Sequence, residues 1–143
     1  MKKVLLSILA FMFFTLSANA AGVGVVNYDE ISKNYSVAKR YNADLNNRVN
    51  AIKNLTKQKQ KAVDEAKTNA EKTKLKKEAL AQIEAKQKEY VQIRDRYEIE
   101  LTKKINAAVE TVRVQKKLDV VINSGAVITG GVNITKDVLA ILK

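Results

Sequence analysis

The chain has 143 residues, with 26 Lys and Arg against 15 Asp and Glu for a net charge of +11, and it contains no Cys, His, Pro or Trp. Without Cys or His there are no disulfides, no thiolate or imidazole metal sites and no Ser-His-Asp or Cys-His arrangement for nucleophilic catalysis. An enzyme is therefore the least favoured class, and neither a metal nor a cofactor is expected.

The amino terminus reads as a signal peptide over residues 1–20. Met1-Lys2-Lys3 is a positive start, Val4 to Leu16 is apolar, and Ala18-Asn19-Ala20 is the small-x-small pattern that places cleavage between Ala20 and Ala21. The charge-free stretch from Val4 to Tyr28 would also be long enough to span a bilayer uncleaved. The Ala-x-Ala site and the strand-like segment behind it favour secretion. Cleavage removes all three Phe, both Met and two Lys, leaving Tyr as the only aromatic and a charge of +9.

Gly24-Val25-Val26 is a short β-branched strand run. Asn27 opens a helix, with Glu30 three residues on in capping-box register. From Val26 to Asn123 there is neither Gly nor Pro, and good helix formers dominate, so long helices follow. Two apolar seams run through that span. Leu45, Val49, Ile52, Thr56, Lys59, Val63, Ala66 and Ala70 form the first; Leu80, Ile83, Gln87, Tyr90, Arg94, Tyr97, Leu101, Ile105, Ala108 and Val112 form the second. They predict a helical hairpin over residues 37–112 with its reversal near 68–73. Both seams are poorer distally, which predicts a tip that splays more readily than the root. Glu84 with Lys88 and Glu100 with Lys104 are favourable i,i+4 pairs on the second helix. Tyr90 and Tyr97 suit packing between the helices, though a surface facing a binding cavity would use the same spacing.

Past the hairpin, Leu118 to Asn123 is a second strand run, and Ser124-Gly125 separates it from Ala126-Val127-Ile128-Thr129, an expected hairpin partner. Thr135 is the expected N-cap of a short last helix through Leu142. Residues 21–36 and 113–143 thus form a small β/α body. Three short strands and a short helix bury little surface, so the body is expected to oligomerise. The fold class is α+β, mostly α.

Charge is unevenly distributed. Residues 33–77 hold 13 basic against 4 acidic residues, a surplus equal to the whole mature net charge. Within it, Lys53, Lys57, Lys59, Lys61, Lys67, Lys72, Lys74, Lys76 and Lys77 face only three acids. A lysine run is more often a solvated face than a site. Concentrated at the end of an arm, however, it attracts acidic polypeptides and anionic lipid.

The order signal peptide, Gly24-Val-Val-Asn27, Lys-rich helical hairpin, Leu118-Asp-Val-Val-Ile-Asn123, Ala126-Val127 and Asn133-Ile-Thr-Lys-Asp-Val-Leu139 resembles the Skp/OmpH family of periplasmic chaperones. The resemblance implies a jellyfish-like homotrimer, in which helical tentacles on a β body enclose unfolded outer-membrane proteins without ATP. It also implies that Val25, Val26, Val120, Val121, Ile122 and Val127 lie on body strands that join the protomers. The chain departs from the family pattern at Asn123, Ile128-Thr129 and Gly130-Gly131. Two rival classes are a basic coiled coil that binds nucleic acid and a structural tether in the envelope. The signal peptide and the small number of Arg, five in the chain, disfavour the first. The second calls for a retained anchor or a further binding domain.

Overall fold

The computed structural model describes residues 22–143. The expected signal peptide and its Ala20–Ala21 cleavage junction lie outside the described residues. The elements are β1 (Val23–Val26), α1 (Tyr28–Asn34), α2 (Ser36–Glu65), α3 (Asn69–Gln115), β2 (Val120–Asn123), a 3-10 turn (Ser124–Ala126), β3 (Val132–Asn133) and α4 (Thr135–Ile141).

At 30 and 47 residues, α2 and α3 extend about 45 and 70 Å and pack on one another as the expected hairpin. Their reversal is earlier and tighter than the expected 68–73 region. Only Ala66, Lys67 and Thr68 separate them, and α3 starts at Asn69. A side-chain cap explains the position. Thr68 Oγ1 accepts from the Glu71 N–H at 3.2 Å while Glu71 Oε2 accepts from the Lys67 N–H at 3.3 Å, a reciprocal arrangement that satisfies free amides at the helix start.

The first helix is also divided, although no breaker is present. Tyr35 is extended (φ −71°, ψ 122°) between α1 and α2, and its side chain is buried in the body core. Burial of this ring and the packing of α1 on α4 outweigh the local helical preference. Asn27 caps α1 as expected, its Oδ1 accepting from the Glu30 N–H at 3.0 Å.

The body differs from the expected β-hairpin. The sheet has the order β2-β1-β3 and both pairings are parallel, with Val25 opposite Ile122 on one side and Asn133 on the other. Ala126 to Thr129 is not a strand. A two-residue hairpin needs a residue at positive φ, and Gly125 is not among the residues that have one; Gly130 and Gly131 are, at +88° and +85°. Asn123 and Gly125 instead begin the 3-10 turn, and the glycine pair carries the chain to the opposite edge of β1. There Gly131 approaches so closely that an added Cβ would lie 2.4 Å from Val25 Cγ2.

The core lies between the sheet and the helix roots. Val26, Ile31, Val112, Ile134 and Val138 are at most 1% exposed, and Tyr35, Ala38, Ile105, Ala108, Leu118 and Leu142 complete the cluster. Thr135 sits inside α4 rather than capping it. It is buried, and its Oγ1 accepts the Asn27 N–H at 3.0 Å, tying the end of β1 to the last helix. The 3-10 and α3 ends are also closed locally: Lys117, at φ +53°, donates to the Val114 carbonyl, and Leu118 donates to that of Arg113. This is a Schellman motif with a lysine in the position that glycine usually takes.

Candidate functional site

The arm is held by two apolar knots with a thinner stretch between them. At the root, Ala38, Tyr41, Ile105, Ala108 and Val112 are buried; at the tip, Val63, Ala66 and Ala79 are at most 8% exposed. Between them no described helix residue reaches that degree of burial. The expectation of steadily decreasing burial towards the tip is thus corrected: the weakest packing is in the middle. The seam explains the error. Ala79 is buried and Ile93 half-buried, while Leu80, Gln87 and Arg94 are exposed, Leu80 at 60%. Of the first seam, Thr56 on α2 is likewise exposed, its hydroxyl donating to the Ile52 carbonyl at 2.9 Å, and Ala70 lies beyond the turn, exposed in the first turn of α3. A 3.6-residue helix drifts from a strict seven-residue repeat, and an error of one position is enough to exchange Ala79 for Leu80.

The middle of the arm is bridged by polar groups that sequence periodicity did not reveal. Arg48 Nε bonds Asp44 Oδ2 at 2.8 Å, its Nη1 bonds Glu89 Oε1 at 3.0 Å, and Lys86 Nζ bonds Glu89 Oε2 at 2.7 Å. Tyr97 donates its hydroxyl to Asp44 Oδ2 at 3.0 Å and stacks on Tyr41, ring centres 3.8 Å apart and planes 8° from parallel. Tyr97 therefore packs between the helices, and Tyr90 is half-buried beside Arg48 and Ile52. The Arg48 guanidinium, with the Tyr97 hydroxyl, lowers the Asp44 carboxyl below its ordinary range; Lys86, then Arg48, does the same for Glu89. Nearer the root, Glu100 accepts from Lys104 at 2.8 Å and is lowered by it, and the Glu100 carboxylate raises the Tyr41 hydroxyl. Glu84 and Lys88 form no ion pair among the described residues. Asp44 and Arg48 at i,i+4 were legible in the sequence, but their link to Glu89 requires the register of the hairpin.

The nine lysines converge on the tip without being neutralised there. Lys53, Lys57, Lys61, Lys67, Lys74, Lys76 and Lys77 are exposed, and Lys59 and Lys72 half-buried. Lys61 lies 3.7 Å from Glu65 with both side chains mostly exposed, and the other eight form no salt bridge with a described residue. Lys59 from α2 and Lys76 from α3 share one groove, of about 310 Å³, with Thr56, Gln60, Val63, Ala79, Leu80 and Ile83. Among the described residues no cluster of three or more His, Cys, Asp or Glu could hold a metal ion.

The residues expected to join protomers divide by environment. Val25, Val26, Val120, Val121 and Ile122 are on strands, whereas Val127 is in the loop after the 3-10 turn. Val26 packs into the protomer's own core. Val120 and Val132, on the two edge strands, are 44% and 49% exposed, and Val114, Ile128 and Ile141 add further exposed apolar surface to the body.

A search of curated proteins finds no match for the chain. A protein-family model described as Outer membrane protein (OmpH-like) matches residues 22–142, and the chain belongs to that family. The long helical hairpin on a small sheet is the mostly α, α+β fold expected of it. Members are chaperones of the periplasm rather than enzymes, and a chaperone-type function connected with outer-membrane proteins follows for this chain.

Proposed function

We propose that the protein is an ATP-independent holdase that keeps unfolded outer-membrane proteins from aggregating in the periplasm after its own signal peptide is removed. The observation that carries this reading is the separation of surfaces. Eight tip lysines without an ion-pair partner among the described residues stand on the outer part of an arm about 45 Å long, while strand edges and the exposed Val114, Val120, Ile128, Val132 and Ile141 side chains lie on the body at its base. The base is suited to self-association, since among the described residues β2 and β3 each have an unpaired edge and the body is small. A homotrimer joined through these bodies would set its arms around a common cavity.

In this reading the tip makes first contact. Positive charge far from the body accelerates encounter with acidic segments of an unfolded chain, and it also attracts anionic lipid at the membrane surface. Grip comes from many weak contacts within the enclosed space, and release follows the client's own folding or transfer. Suppression of aggregation of an unfolded outer-membrane barrel, without nucleotide, is the direct test. A mature chain that leaves the light-scattering trace of the client unchanged would refute the proposal. Replacement of Lys57, Lys59, Lys61, Lys72, Lys74 and Lys76 with Gln is expected to slow capture and flatten its salt dependence. Sedimentation of the mature chain tests the trimer, and a stable folded monomer would contradict it.

A further inference from the structure

We propose that the groove between α2 and α3 at the tip is a side-chain-sized subsite for unfolded clients, taking one aromatic or large aliphatic side chain that is flanked by carboxylates. Val63 and Ala79 are buried beneath it, Leu80 and Ile83 supply an apolar wall, and Lys59 and Lys76 stand on its two sides. The tip knot keeps the floor in place, because Val63, Ala66 and Ala79 close the helices just beyond the thin middle of the arm. Half-buried Lys59 can line the groove with its methylene stem and keep its ammonium in water.

Size and charge identify the occupant. A volume of about 310 Å³ is at the lower end of the range for ligand pockets, roughly 300–1,000 Å³, and suits one or two side chains rather than a bundle of acyl chains. No acid among the described residues lines the groove, so its two ammonium groups are available to a carboxylate of the incoming segment. Outer-membrane strands alternate apolar with polar residues and carry aromatic girdles, so an unfolded strand offers aromatic side chains with polar neighbours in many registers. Val63 is 27 residues along α2 from Ser36, about 40 Å from the body, so association through the body leaves the groove accessible. The subsite rests on the holdase reading above and names the client feature that the tip recognises.

The test uses the full mature chain and three short peptides of equal length: Phe flanked by Asp, Phe flanked by Lys, and Ser flanked by Asp. Methyl resonances of Val63, Ala79, Leu80 and Ile83 are followed by NMR. The Phe–Asp peptide should shift them saturably, with the two controls binding about fivefold or more weakly. Leu80→Gln, at an exposed position that should not affect folding, and the double change Lys59→Gln with Lys76→Gln should each reduce Phe–Asp binding by about threefold to tenfold. Equal binding of all three peptides would overturn the proposal, as would shifts of these methyls by anionic phosphatidylglycerol vesicles but by none of the peptides. Aggregation assays on the same variants separate the two levels. Holdase activity in a chain whose groove binds no peptide refutes the subsite alone, whereas absence of holdase activity in the unaltered chain refutes the function.

Discussion

Three glycines of the carboxy-terminal body differ by one physical ingredient each, so that a single added methyl at each position tests the parallel sheet. At Gly125 no described residue lies within 4 Å of an added Cβ and φ is not positive, so Gly125→Ala should be neutral or stabilise by up to about 1 kcal/mol through the unfolded chain. At Gly130 the space is equally open but φ is +88°. A left-handed conformation costs a Cβ-bearing residue roughly 1–2 kcal/mol, partly offset by the same unfolded-state gain, for a net loss of about 1 kcal/mol. At Gly131 φ is +85°, and the new Cβ would also meet Val25 Cγ2 at 2.4 Å and the Val23 carbonyl oxygen at 3.3 Å.

Val25 cannot easily yield, since it is β-branched and sits in the central strand with both neighbours hydrogen-bonded. Overpacking of this kind costs about 1–3 kcal/mol, so Gly131→Ala should lose roughly 2–4 kcal/mol in all. That is a large share of the 5–15 kcal/mol or so available to a domain. Urea unfolding of the mature variants, at one fixed protein concentration because the proposed assembly would contribute to stability, reads the series directly. The expected order of midpoints is Gly125→Ala, then Gly130→Ala, then Gly131→Ala. If Gly131→Ala were no worse than Gly130→Ala, β3 would not be packed beside β1, and a connection of the kind expected from Ala126–Thr129 as a hairpin partner would regain support.

Four further outcomes are expected. Lys117→Gly should stabilise the fold by about 0.5–1 kcal/mol, because Lys117 occupies the left-handed position of the α3 Schellman motif; thermal unfolding reads this as a higher midpoint. Thr135→Val preserves shape but leaves the Asn27 N–H without its partner, so a loss of about 1–3 kcal/mol is expected in the same assay. Asp44, Glu89 and Glu100 ionise below their ordinary range in the folded arm, so their contribution is present above the unfolded pKa and lost as pH falls through the folded one. Helical circular dichroism should accordingly decline below about pH 4, and less steeply in Asp44→Asn. Amide exchange should be slower near Val63 and Ala79 than near Asn54 and Gln87, and a smooth decrease in protection from root to tip would contradict the two-knot arm.

The long helices were legible because their evidence is local: good helix formers, regular apolar spacing and an interior without Gly or Pro. The hairpin's exact reversal was legible too, in Thr68-Asn-Ala-Glu71, but apolar spacing alone placed it a few residues late. Tyr35 could not be read as a break, because only the core it enters makes an extended residue favourable there. The sheet was the least accessible part. Two β-branched runs separated by Ser-Gly satisfy the pattern of a hairpin, and only the positive φ at Gly130 and Gly131 sends the chain past the central strand to its other edge. For the tip, the sequence identified the lysines but not the groove beneath them. That groove depends on Val63 and Ala79 meeting across the hairpin, a pairing displaced when Leu80 was taken as the inward residue.

This correction changes how the arm can move. An arm whose packing faded towards the tip would open from its free end, separating the lysines of α2 from those of α3 as it did so. Two buried knots joined by a thin middle favour bending at the middle, where half-exposed ionic groups can change partners at little energetic cost while Val63, Ala66 and Ala79 keep the tip helices together. Lys59 and Lys76 then travel as one unit with the apolar floor between them. For the holdase proposed above, the distinction matters: the span between the arms of an assembly would vary while the local surface presented at each tip stays the same.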